Sequence, residues 1–165
     1  MNLNRLFTSL LLMVMSMVCV NATETDDIKK KLEHAQGKEK LEYLCRLCDL
    51  SLEGDDYELQ WKCIDDYLRE AHRQSNRVEE SDALWMRIIL FYNNDQNDSI
   101  YKYIEDDLRF IREYGTEEKY YDAWSCLVNT YVYGGSLSAG LKEAEKMYQE
   151  AKEAKSDLEV ALPVI

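Results

Sequence analysis

Apolar residues recur along this chain in steps of three and four, and the recurrence breaks only at short polar or glycine-bearing stretches. That period marks one face of a helix and not the alternation of a strand. Ile28, Leu32 and Ala35 share a face in a segment predicted over Asp26 to Gln36 and ended by Gly37. Leu41, Leu44, Leu47 and Cys48 predict a helix over Lys38 to Glu53. Gly54-Asp55-Asp56 breaks it, with an aspartate placed to cap the next. Trp61, Ile64, Leu68 and Ala71 predict a helix over Tyr57 to Gln74. Glu79 to Tyr92 is apolar on most sides, the pattern of a deeply buried helix. A polar turn follows, with Asn97 or Asp98 as cap, and then a helix from about Ile100 to Tyr114 that stops at Gly115. Thr116 caps a helix lasting to Tyr133. Gly134-Gly135-Ser136 turns the chain into Leu137 to Lys155, and Ser156-Asp157-Leu158-Glu159 reads as a capping box opening one more.

The pattern repeats. Trp124, Leu127, Val128 and Tyr131, followed by Ala144, Tyr148 and Ala151, anchor the last hairpin. Positions 40 residues earlier are Leu84, Arg87, Ile88, Phe91, Ile104, Leu108 and Ile111, and 40 earlier again Leu44, Leu47, Cys48, Ser51, Ile64, Leu68 and Ala71. Arg87 and Ser51 alone are polar. A hairpin with apolar residues on both faces cannot bury itself, so the units must stack. One proline and six glycines suit such an array and disfavour sandwiches and barrels. The expectation is an all-α chain, with a leading helix over 23–37 and repeats over about 38–77, 78–115 and 116–155, and an incomplete fourth from 156.

The hairpin resembles a tetratricopeptide repeat. Trp124, Leu127, Tyr131, Ala144, Tyr148 and Ala151 match that family's pattern directly, while Val128 stands where its glycine belongs. The two earlier units match by hydrophobic class, and the period of 40 exceeds the family's roughly 34. The resemblance implies a right-handed superhelical α-solenoid that binds proteins or peptides without catalysis and without a cofactor.

The N-terminus is read separately. Arg5, the apolar run Leu6 to Val20 and the small-residue site Val20-Asn21-Ala22 form a secretory signal peptide over 1–22. The protein is therefore expected to be secreted or periplasmic, tethered to a membrane only if that segment stays uncleaved. An export signal before long, divergent repeats also resembles the extracytoplasmic sensor region of bacterial histidine kinases or transcriptional regulators, which is the alternative function.

The net charge is −12, with 32 acidic against 20 basic residues. That balance disfavours nucleic acid, which needs basic patches, and favours a basic partner. Cys45, Cys48, Cys63 and Cys126 lie inside helical patterns and read as buried small hydrophobes, although export would permit disulfides. His34 and His72 sit among charged residues and read as surface groups. Asn93 to Glu105 resembles a calcium loop, but Asp98 and Ile104 occupy positions that need glycine and glutamate. No catalytic or metal residue is assigned.

What remains is a binding surface. In the family the first helix of each hairpin lines a concave groove. By the resemblance, Glu42, Cys45 and Asp49 lie there in the first unit, Asp82, Trp85, Ile89 and Tyr92 in the second, and Asp122, Ser125, Asn129 and Tyr133 in the third. The family's carboxylate-gripping form uses lysines and asparagines at such positions, and only Asn129 matches; the resemblance therefore implies a basic or apolar peptide. Trp85 follows the core position Leu84, so it serves either as an exposed anchor or as packing between repeats.

Overall fold

The computed structural model describes residues 24–153. The signal peptide expected over 1–22 and the incomplete fourth repeat expected from 156 fall outside them. The described residues are all helical: α1 (24–32), α2 (Gly37–Leu52), α3 (Tyr57–Arg73), α4 (Arg77–Asn93), α5 (Asn97–Tyr114), α6 (Glu117–Tyr133) and α7 (Leu137–Glu153). None is long and apolar enough to cross a membrane.

Local chemistry places the ends. Asp56, Asn76 and Thr116 accept backbone bonds from Leu59, Glu79 and Lys119, and so cap α3, α4 and α6. Ser75 and Asp95 (both φ 54°) and Gly135 (φ 83°) close α3, α4 and α6 in the left-handed conformation. After each, an amide reaches five residues back, from Asn76 to Ala71, Gln96 to Phe91 and Ser136 to Tyr131, at 2.8–3.0 Å. This closure satisfies carbonyls that the helix end would leave bare. It also corrects two expectations. Gln96, held by Phe91, takes the cap position of α5 without a side-chain bond, so Asn97 is already helical. Gly37 opens α2 rather than ending the helix before it.

Each helix from α2 onward packs on its neighbour in sequence, and α4 also meets α2 and α6. No such backbone approach links α3 with α5, or α5 with α7. The even-numbered helices therefore converge in one layer while the odd-numbered ones splay on the other side. An array built so curves toward its even layer, as an α-solenoid does.

The core forms two clusters divided by α4. Ala83, Met86 and Leu90 join α1, α2 and α3, whereas Leu84, Ile88 and Phe91 join α5, α6 and α7. This two-sided use explains why α4 is apolar nearly all round. Trp61, Leu68 and Trp85 touch both clusters. Gly140 lets α7 come close to α6, since a Cβ there would stand 2.6 Å from Val132 Cγ2.

One repeat anchor departs from expectation. Tyr148 is 45% exposed, along with Leu137 and Leu141 on the same helix. The residues 80 positions earlier are Tyr57, Trp61 and Leu68, and Trp61 stacks on Phe91 of the following hairpin. The stripe on α7 thus lies on the face that the earlier hairpins turn toward their successor.

Candidate functional site

The even layer brings together side chains from three helices. On α4, the Trp85 indole N–H donates to Asp122 Oδ2 of α6 at 2.7 Å. One turn before Asp122, Lys119 Nζ pairs with Asp82 Oδ1 at 2.7 Å and lies 5.2 Å from the centre of the Trp85 ring. The sandwich of ring, ammonium and carboxylates suits the quadrupole of indole, whose faces attract a cation. Desolvation raises the pKa of Asp49 on α2, opposed by Arg46 on its own helix and, less strongly, by Lys119. Asp49, Asp82, Trp85, Lys119 and Asp122 thus form one acidic and aromatic patch across α2, α4 and α6.

Behind the patch lies a buried polar chain. Tyr67 of α3 is fully buried, and its hydroxyl donates to Glu79 on α4 and is hydrogen-bonded to Cys45 on α2. Burial and the Glu79 carboxylate both push the phenol well above its ordinary range, so it stays a neutral donor. The chain locks α2, α3 and α4 at the level where the patch begins.

Further along the layer, Tyr92 of α4 is hydrogen-bonded to Asn129 of α6 and lies near Cys126 and Tyr133. Tyr133 is 77% exposed. Ile89 is half-buried against the second cluster. Two predicted groove residues have partners on their own helices. Glu42 is exposed and pairs with Lys38 on its own helix at 3.3 Å. The Ser125 hydroxyl donates to the Asp122 carbonyl at 2.7 Å, which leaves it no free proton for a ligand. Trp85 is both anchor and packing: half-buried, with its polar edge committed to the next hairpin. Sequence reasoning missed Lys119. It lies one helical turn before Asp122, as Glu79 lies before Asp82, so the same face periodicity finds it.

The four cysteines of the described residues are free thiols, with Cys48, Cys63 and Cys126 buried. Burial raises the pKa of each, to about 12 for Cys126. Such thiols stay protonated and are poor nucleophiles. His72 is exposed as expected, yet its Nδ1 meets Glu80 at 2.9 Å.

No protein-family model matches this chain, and no curated protein or solved structure matches it.

Proposed function

We propose that the protein is a non-catalytic binding module of the tetratricopeptide kind, an exported right-handed superhelical array whose even-helix groove takes a basic, partly apolar peptide or protein segment. One observation carries this reading. The patch already holds a cation, Lys119, on the Trp85 indole face and paired with Asp82, while Asp122 accepts from the indole N–H. A partner's lysine or arginine would find the same chemistry beside Asp49, and the half-buried Ile89 and Tyr92 would accept its apolar neighbours.

Fluorescence anisotropy with a labelled peptide that alternates lysine and leucine tests the proposal. The charge-reversed glutamate–leucine peptide serves as control. Binding of the basic peptide, weakened by salt and by Asp82→Asn with Asp122→Asn, is the expected result. Equal binding of both peptides, or no effect of the paired substitution, overturns it.

A further inference from the structure

The splayed odd-numbered helices leave a gap over each even one, on the side away from the groove. Over α4 the gap between α3 and α5 is filled. Trp61 stacks on Phe91 with centroids 5.5 Å apart, and Phe91 on Tyr103 at 6.0 Å. The Arg87 guanidinium lies 4.8 Å from the Tyr103 ring and pairs with the buried Asp107. Forty residues on, the same positions over α6 hold Tyr101, Tyr131, Glu143, Leu127 and Met147. The first two rings still meet, at 5.1 Å. The third ring has become Glu143, and the ion pair has become Leu127 and Met147. A cavity of about 500 Å³ opens there between α5 and α7.

The lining states what would fill it. Tyr101, Trp124, Leu127 and Tyr131 supply an aromatic and apolar wall, while Glu105, Glu143 and Lys146 supply the charges. Lys146 is engaged with Glu143 at 2.5 Å, and Glu105 is exposed without a partner among the described residues. Two carboxylates against one ammonium leave the lining net negative. Cavities of this size with aromatic walls and a few polar groups suit small ligands.

We infer that this cavity is a second binding site, for a single flat aromatic ring bearing a protonated amine. The ring takes the place that Tyr103 takes over α4, against Tyr131, and the amine is held by Glu105 and Glu143. Ring-on-ring contact and charge pairing act together on such a ligand, and an aromatic anion would be repelled. The site is separate from the groove and does not rest on its proposed role.

Titration of the full chain with phenethylammonium, followed by amide and indole NMR shifts, tests the inference. Saturable shifts at Trp124 and at amides of α5 and α7 are expected in the millimolar range or below, with 3-phenylpropionate at least about tenfold weaker. Glu143→Tyr, which supplies the missing ring, should abolish binding. Glu105→Gln, at an exposed position that spares the fold, should weaken the cation about threefold or more and leave neutral benzyl alcohol unaffected. Absence of saturable shifts, equal binding of the anion, shifts confined to Trp85, or indifference to Glu105→Gln would each overturn it.

Discussion

Arg87 and Asp107 form an ion pair that joins α4 to α5 while nearly all water is excluded, their side chains being 15% and 5% exposed. Arg87 Nε also reaches Asp107 Oδ2 at 3.3 Å, so the guanidinium grips the carboxylate with two nitrogens. Burial still raises the Asp107 pKa, more than Arg87 lowers it. The chain carries its own alternative, because the equivalent positions in the next hairpin are Leu127 and Met147. Asp107→Ala should therefore cost about 3–5 kcal/mol, mainly by stranding the guanidinium. The paired change Arg87→Leu with Asp107→Met should cost less than about 1.5 kcal/mol. Urea denaturation of the three proteins decides this, and a double variant as unstable as the single one would refute the equivalence of the hairpins.

Ser75 and Asp95 hold positive φ where Gly135 performs the same closure for α6. Residues with a Cβ are strained there, and glycine is not. Ser75→Gly and Asp95→Gly are expected to raise stability by up to about 1 kcal/mol each, and Gly135→Ala to lower it by about 1 kcal/mol. Thermal melting provides the check, and the opposite signs would mean that the closures are not formed in solution.

Glu70 of α3 carries the main acid sensitivity to be expected. Arg73 donates to it, as do Gln74 and Lys40 of α2, and together they hold its pKa at about 2 against an ordinary 4.5. Because the folded-state value is the lower one, this stabilisation is fully present above pH 4.5 and fades as the pH falls toward 2. Water around the exposed Arg73 screens part of it, leaving about 1–2 kcal/mol. Asp107 works in the other sense, since its raised pKa favours the folded state in acid and that benefit is lost as the pH rises. Glu70→Gln should flatten the fall in stability below pH 4.5. A stability profile identical to that of the unsubstituted protein would assign the acid loss elsewhere.

Trp85 serves packing and recognition through different atoms. Trp85→Phe keeps most of the apolar body but removes the N–H that binds Asp122. It should cost about 1–2 kcal/mol and preserve helicity. Lys119→Met removes the resident cation while keeping the apolar stem. Under the proposed function it should tighten the basic peptide, because Asp82 and the indole face become free. Anisotropy reads this directly; weaker binding by Lys119→Met would show that Lys119 organises the patch instead of competing for it.

The helices were legible because their information is local. Spacing of three and four placed Leu84, Ile88 and Phe91 on one face of α4, and polar caps such as Asp56 and Thr116 are written next to the turns they close. The starts of α2 and α5 were misjudged because a left-handed closure at Asp95, or a helix opening on Gly37, depends on which carbonyls the chain can reach, not on residue preference. The exposure of Tyr148 was illegible for a related reason, since helical spacing identifies a face without saying what covers it. The residues expected to line a groove lie on α2, α4 and α6, which share one layer because repeat equivalence carries over. Local spacing does not show that Glu42 and Ser125 find their partners, Lys38 and the Asp122 carbonyl, within their own helices.

The sequence by itself determined an all-helical chain of stacked hairpins, with α4 buried on both sides and an acidic surface. The 40-residue period and the helical spacing suffice for that, because each depends only on neighbours along the chain. Tertiary structure alone decided that Lys119 sits on Trp85, that Arg87 finds Asp107, and that one gap between odd-numbered helices is filled while the next is open. Those outcomes depend on side chains 20 to 40 positions apart meeting across packed helices. The geometry of packing, to within a few ångströms, is what no local pattern encodes.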